Sequence, residues 1–174
     1  MTAWDDDTAQ RYADKYGGDA SIFEVLNAAG IADGADVIDL GCGNGSALAA
    51  LADRAGRLAG VDPTPRMVEI ARERCPGADL RVAPGEATGF GDGDFDVVMM
   101  INVIHHLDDI SAGLAEANRL LRPGGLIVIG GEVFSTSMVP EGQDYAGALE
   151  AAGFGAVERR DLSGAFITTA RKEG

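Results

Sequence analysis

Apolar and polar positions along this chain follow two rhythms that take turns. Short segments rich in apolar residues occur at Ala35–Leu40, Leu58–Val61, Leu80–Ala83, Phe95–Ile101 and Leu126–Ile129. Longer amphipathic stretches separate them. The runs read as strands, and Phe95–Ile101 is so continuously apolar that it needs cover on both faces. The amphipathic stretches predict helices at 8–16, 20–29, 46–55, from Pro65 to about Cys75, from beyond strand four to about Leu121, and at 145–152. Gly30, Pro76-Gly77, the Arg122-Pro123-Gly124-Gly125 turn and Gly153 mark stops, and Thr64-Pro65 reads as an N-cap followed by Pro at N1. Residues 84–94 form a glycine-rich loop. Val157–Leu162 and Ala165–Ala170, joined at Ser163-Gly164, break the alternation and predict an antiparallel edge hairpin.

Alternating strands and helices imply βαβ units. The expected fold is α/β: a doubly wound, mostly parallel sheet of about seven strands, with an edge hairpin and helices on both faces. Residues 1–34 are expected to make a short N-terminal helical lid and residues 35–174 the sheet domain, one compact domain overall. In such open sheets, ligands bind beyond the carboxyl ends of the strands. The residues just after each strand are therefore the candidates for chemistry.

Composition narrows the partners. The chain has 174 residues, one ordinary domain, and is 46% hydrophobic and 24% charged, which is globular rather than disordered. Lys and Arg total 14 against 28 Asp and Glu, a net charge of -14, and no basic stripe is visible. That argues against nucleic acid or an anionic membrane as partner. The start has no basic, apolar leader pattern and no run is long enough to span a bilayer, so a cytoplasmic location is expected. Cys42 and Cys75 lie outside any Cys-x-x-Cys pair, and two His do not complete a zinc set with them. No metal and no disulfide are expected.

The most informative stretch is Val37-Ile38-Asp39-Leu40-Gly41-Cys42-Gly43-Asn44-Gly45. Gly41 and Gly43 allow a sharp turn and a close backbone approach by a ligand, and the next helix aims its free N–H groups at the same place. The spacing is G-x-G-x-G, with Ser46 where a dinucleotide fingerprint has its third glycine. Asp39 precedes the first glycine by two. A negative side chain there repels a pyrophosphate and suits an ammonium or sulfonium.

Asp39–Gly45 resembles the first motif of class I S-adenosylmethionine-dependent methyltransferases, and four further segments agree in order and spacing over about residues 35–132. Asp62, closing the second strand, resembles the family's acidic residue that grips the two ribose hydroxyls. The resemblance then implies that Pro63 and Met67 flank the adenine. Gly85-Glu86-Ala87 resembles the family's G-D-A, with Glu one methylene longer than Asp at the adenine amino group. Phe95–Leu107, including Asn102, resembles the motif beneath the methionine end, and Arg119–Gly125 the turn before strand five. Gly41, Cys42 and Gly43 count with the cofactor-binding residues through their backbone; the Cys42 thiol needs no chemical role. Tyr12 and Tyr16 lie four apart on a helix that looks like the family's N-terminal lid, and either can meet the methionine carboxylate or the acceptor, or simply pack together.

Methyl transfer from a sulfonium is an in-line displacement, and a hydroxyl acceptor also needs a base. His105 falls a few residues past strand four, where similar small-molecule O-methyltransferases place a catalytic His; His106 is the second candidate. A structural role for the pair is equally on the table. Glu132, after strand five, sits one residue beyond the family's acidic position, so its side chain is expected to point away from the pocket. The favoured acceptor is a small-molecule hydroxyl, with an amine or peptide behind it. The connection Val133–Asp144 is short, so the cleft is expected to be open, or closed by a homodimer partner or a bulky acceptor. Two other readings stay open: an S-adenosylmethionine-binding module without methyl transfer, and an NAD-dependent oxidoreductase.

Overall fold

The computed structural model describes residues 2–16, 20–132 and 145–174. Strands β1 (Asp36–Leu40), β2 (Arg57–Asp62), β3 (Asp79–Val82), β4 (Phe95–Ile101) and β5 (Leu121–Glu132) run parallel. β7 (Ala165–Lys172) pairs antiparallel with β5 on one side and with β6 (Phe154–Asp161) on the other. The sheet order is β3-β2-β1-β4-β5-β7-β6. Strand order reverses between β1 and β4, and a crevice opens there at the carboxyl ends. The hairpin expected at the edge is present.

Alternation along the central strands feeds two cores. Ile38, Leu40, Val98, Met100, Ile127 and Ile129 pack on one face with α5 (Ile110–Leu120) and α6 (Tyr145–Ala151). Val37, Val97, Met99, Leu126 and Val128 pack on the other with α2 (Ala20–Ala28), α3 (Ser46–Ala49) and α4 (Pro65–Arg74). Both faces of β4 are covered, as its unbroken apolar run requires. The first helix, α1 (Asp6–Tyr16), belongs to neither core. Its Ala9 and Ala13 pack on Met67 of α4, together with Trp4, Tyr12 and Ile70.

Three local expectations change. The helix foreseen over 46–55 is regular only at Ser46–Ala49. Beyond it, Leu51, Ala52 and Arg54 donate to carbonyls three residues back, the tighter pattern of turns. The strand foreseen at 126–129 runs from Leu121 to Glu132, because the Arg122–Gly125 turn is absorbed as an irregularity opposite Phe95 and Val97. The segment after β4 does not enter a helix directly. Ile104–His106 forms one 3-10 turn, and α5 then starts behind Asp109, whose carboxylate accepts from the Ala112 N–H at 3.0 Å. The connection Val133–Asp144 and the side chain of Tyr16 lie outside the described residues.

Candidate functional site

At the carboxyl ends of β1, β2 and β4 lies a cavity of about 450 Å³, within the size range of small-ligand pockets. A smaller one of about 50 Å³ adjoins it; Tyr12, Gly41, Gly43, Ile101 and Asn102 line both. The glycine loop forms the floor. Gly41 and Gly43 have φ of 78° and 49°, in the left-handed region that favours glycine. The loop is braced by Asp62. Its carboxylate accepts from the Gly43 N–H at 3.0 Å and from the Thr64 N–H at 2.9 Å. Burial pushes the Asp62 carboxyl up, against the pull of those two hydrogen bonds and of His106.

Asp39 has a different environment. It is buried, and its Oδ1 has no hydrogen-bond partner. Burial drives its carboxyl well above the usual carboxylate range, and the charge of Asp62 pushes the same way. A buried acceptor left unmade is costly, and the cost disappears when a cationic donor arrives. Asp39 lines the smaller cavity beside Cys42, Asn44 and Asn102. Burial raises the Cys42 thiol as well, with Asp39 and Asp62 adding to it, so the thiol stays protonated and unreactive.

The opposite wall comes from the end of β4. Asn102 holds φ 57°, unusual for a residue with a side chain. Two bonds to β5 keep it there: its N–H donates to the Gly130 carbonyl at 2.8 Å, and its Oδ1 accepts from the Glu132 N–H at 2.9 Å. His105 and His106 follow on the 3-10 turn, their rings 4.1 Å apart and tilted by 45°. Burial lowers both imidazoles below the ordinary value; the neighbouring His106 lowers His105 further, while Asp62 works to raise His106. Both are neutral bases at neutral pH.

The large cavity thus gathers Tyr12, Gly41, Gly43, Asp62, Pro63, Met67, Asn102, His105 and His106, and the small one adds Asp39 and Cys42. Gly85, Glu86 and Ala87 line neither cavity. Glu86 instead accepts from the N–H of Asp108 at 2.9 Å, and Asp108 lines the large cavity. Glu132 lines neither, and its backbone N–H meets the site in that Asn102 bond. Sequence reasoning missed Thr2, Trp4 and Thr64. Thr64 was legible as a helix start. Its hydroxyl, however, makes no cap; it accepts from the Trp4 N–H at 3.0 Å. Among the described residues no cluster of His, Cys, Asp or Glu suits a metal. No helix among them is long and apolar enough to cross a membrane.

A glycine loop after β1, an acidic residue ending β2 and a crevice at the strand-order reversal define an α/β protein built to hold a nucleoside-bearing cofactor. Residues 38–129 match the family described as "Methyltransferase domain". The chain belongs to this family, and its architecture is that of the class I S-adenosylmethionine-dependent methyltransferases. It is 33% identical over 103 residues to a demethylmenaquinone methyltransferase of Tropheryma whipplei (strain Twist), covering 58% of this chain and 43% of that protein. It is 34% identical over 137 residues to a trans-aconitate 2-methyltransferase of Azoarcus sp. (strain BH72), covering 74% of this chain and 51% of the relative. The chain thus spans about half the length of these curated relatives. A TehB-like S-adenosylmethionine-dependent methyltransferase from Corynebacterium glutamicum superposes with a TM-score of 0.80 at 22% identity, covering 97% of this chain and 100% of that one.

The cofactor of this family is S-adenosylmethionine, and the residues present fit it. Asp39 offers an unpartnered buried carboxylate for a cation, the glycine loop leaves open space above Gly43, and Asp62 stands where a sugar can be gripped.

Proposed function

We propose that this protein moves the methyl group of S-adenosylmethionine to a small organic acceptor, with a hydroxyl as the favoured group. The observation that carries the reading is the buried, unpartnered Oδ1 of Asp39 beside the Asp62-braced glycine loop. An anion there is unsuited to a pyrophosphate, which disfavours a nicotinamide dinucleotide. The small-molecule acceptors in the names of the Tropheryma and Azoarcus relatives support the acceptor class.

When bound, the cofactor would supply an electrophilic methyl carbon on a sulfonium. Asp39 holds the cationic amino end, and Asp62 the sugar hydroxyls, for which a carboxylate has acceptor capacity beyond its two backbone bonds. Asn102, pinned by β5, keeps the β4 wall in place. His105, neutral and on the cavity wall, takes the proton released by the acceptor hydroxyl. His106 lies between His105 and Asp62's field and keeps its partner ring in place. Residues 2–16 close the site as a lid.

Calorimetry with S-adenosylhomocysteine against NAD, followed by mass spectrometry of a panel of hydroxylated acceptors, tests the reading. Binding of the first compound alone, and the gain of one methylene mass on a hydroxyl acceptor, are expected. Binding of NAD in its place overturns it. His105→Ala should keep that binding and lower kcat by roughly 10²–10⁴. The wild-type rate should rise with pH to a plateau whose inflection lies below 6.5, since burial depresses the imidazole. An unchanged kcat removes His105 as the base.

A further inference from the structure

Trp4 is the chain's one tryptophan, and it lines the large cavity. Local sequence sets its position. Asp5 caps α1, its carboxylate accepting from the Thr8 N–H at 2.8 Å. Trp4 is the residue before that cap and shares a small cluster with Ala9, four positions into the helix, an arrangement that fixes the angle at which a chain enters a helix. Tertiary contacts do the rest. The Trp4 N–H donates to Thr64 Oγ1 at 3.0 Å, and the Thr64 N–H donates in turn to Asp62 Oδ1. The indole stands edge-on to Tyr12 at 5.0 Å and to His106 at 6.0 Å. Trp4 is therefore tied to the Asp62 end of the cavity and absent from the smaller space around Asp39.

That placement separates two ends of a ligand. The cationic, amino-acid end belongs with Asp39. The sugar and its base belong with Asp62, and the broadest aromatic side chain at that end is the indole of Trp4. Resting on the methyl-donor reading above, we infer that Trp4 is a cofactor-binding residue: its indole is the stacking surface for the purine base, and its latch on Thr64 sets that surface relative to the sugar-binding Asp62. An aromatic ring can stack on any planar heterocycle, so the interaction belongs to the base and not to the methionine part. The strap that precedes α1 thereby becomes part of the binding site, and not only a cover over it.

A single tryptophan makes the test direct. The wild-type protein is titrated with S-adenosylhomocysteine, adenosine and homocysteine while its emission and acrylamide quenching are followed. The first two should shift the emission saturably and shield the indole from acrylamide; homocysteine should do neither. By calorimetry, Trp4→Ala should weaken S-adenosylhomocysteine about fivefold or more, and Trp4→Phe about twofold. Adenosine should lose affinity in parallel. If Trp4→Ala fails to fold, the wild-type titration and Trp4→Phe still decide. Binding that leaves the emission unchanged overturns the inference, and so does binding that exposes the indole, because the strap is then displaced by the ligand. If the wild type binds adenosine and S-adenosylhomocysteine and Trp4→Ala binds them equally well, Trp4 merely fastens α1 to α4. If the wild type binds neither compound, the methyl-donor reading itself falls and this inference with it.

Discussion

An ionised Asp39 in the free protein is a buried charge with no hydrogen-bond partner for Oδ1. Its carboxyl is raised by burial, so the folded state holds the proton more tightly than the unfolded chain does. The stability linked to that proton is complete below the ordinary value of 3.8 and is lost as pH rises through the elevated one. At neutral pH the free protein therefore carries a penalty that a cationic ligand relieves. Asp39→Asn should raise the melting temperature of the ligand-free protein at neutral pH, by roughly 2–4 °C for each kcal/mol relieved. It should also remove most of the affinity for S-adenosylhomocysteine. Scanning calorimetry across pH checks the sign: the gain over wild type should vanish toward low pH. A mutant less stable than wild type at neutral pH contradicts this account.

At the scale of elements, the site depends on how closely α3 and α4 approach. Gly45, the last glycine of the loop, has φ 77°, and a Cβ on it would lie 3.1 Å from the Ala71 Cβ and 3.2 Å from its Cα. Gly45→Ala combines left-handed strain with that contact and should cost about 1–3 kcal/mol in a urea titration. It should also weaken cofactor binding, because α3 and the loop move together. A second close approach lies in β2. A Cβ on Gly60 would come within 2.9 Å of the Cys42 Cβ and 3.0 Å of Leu48 Cδ1. Nothing in the sequence distinguishes Gly60 from an ordinary strand glycine, whereas the G-x-G-x-G spacing made the loop legible at once. The short α3 shows the same limit. Its alanine-rich run has helical propensity, yet Arg54 is held by the Ile31 carbonyl and Asp33, contacts outside any local window.

Taken whole, the molecule has two bodies of unequal anchorage. The sheet and the helices α2 to α6 share the two main cores, while α1 holds on through Ala9, Ala13 and Met67 with a few partly buried neighbours. Segments with few buried apolar contacts open with little free energy. Amides of α1 should therefore exchange faster than those of β1, β4 and β5, by a factor well above ten, and should gain protection when S-adenosylhomocysteine binds. Equal protection of α1 and the central strands, with and without ligand, rules out the lid.

Element order, the parallel sheet with its edge hairpin, the glycine turn and the two acidic strand ends were all readable in one dimension. Each is written in spacings of a few residues, and hydrophobic periodicity alone selects the buried face. Partnership across the fold was not readable. Thr64 looked like a helix cap until Trp4, 60 positions away in sequence, took its hydroxyl. Glu86 was legible as a candidate ligand contact, but the bond it accepts from the Asp108 N–H, 22 positions away, was not. The isolation of Asp39 Oδ1 belongs to no motif, because an absent partner is a property of everything packed around the group. A local pattern states which side chains face inward; only the closed fold decides what each of them meets there.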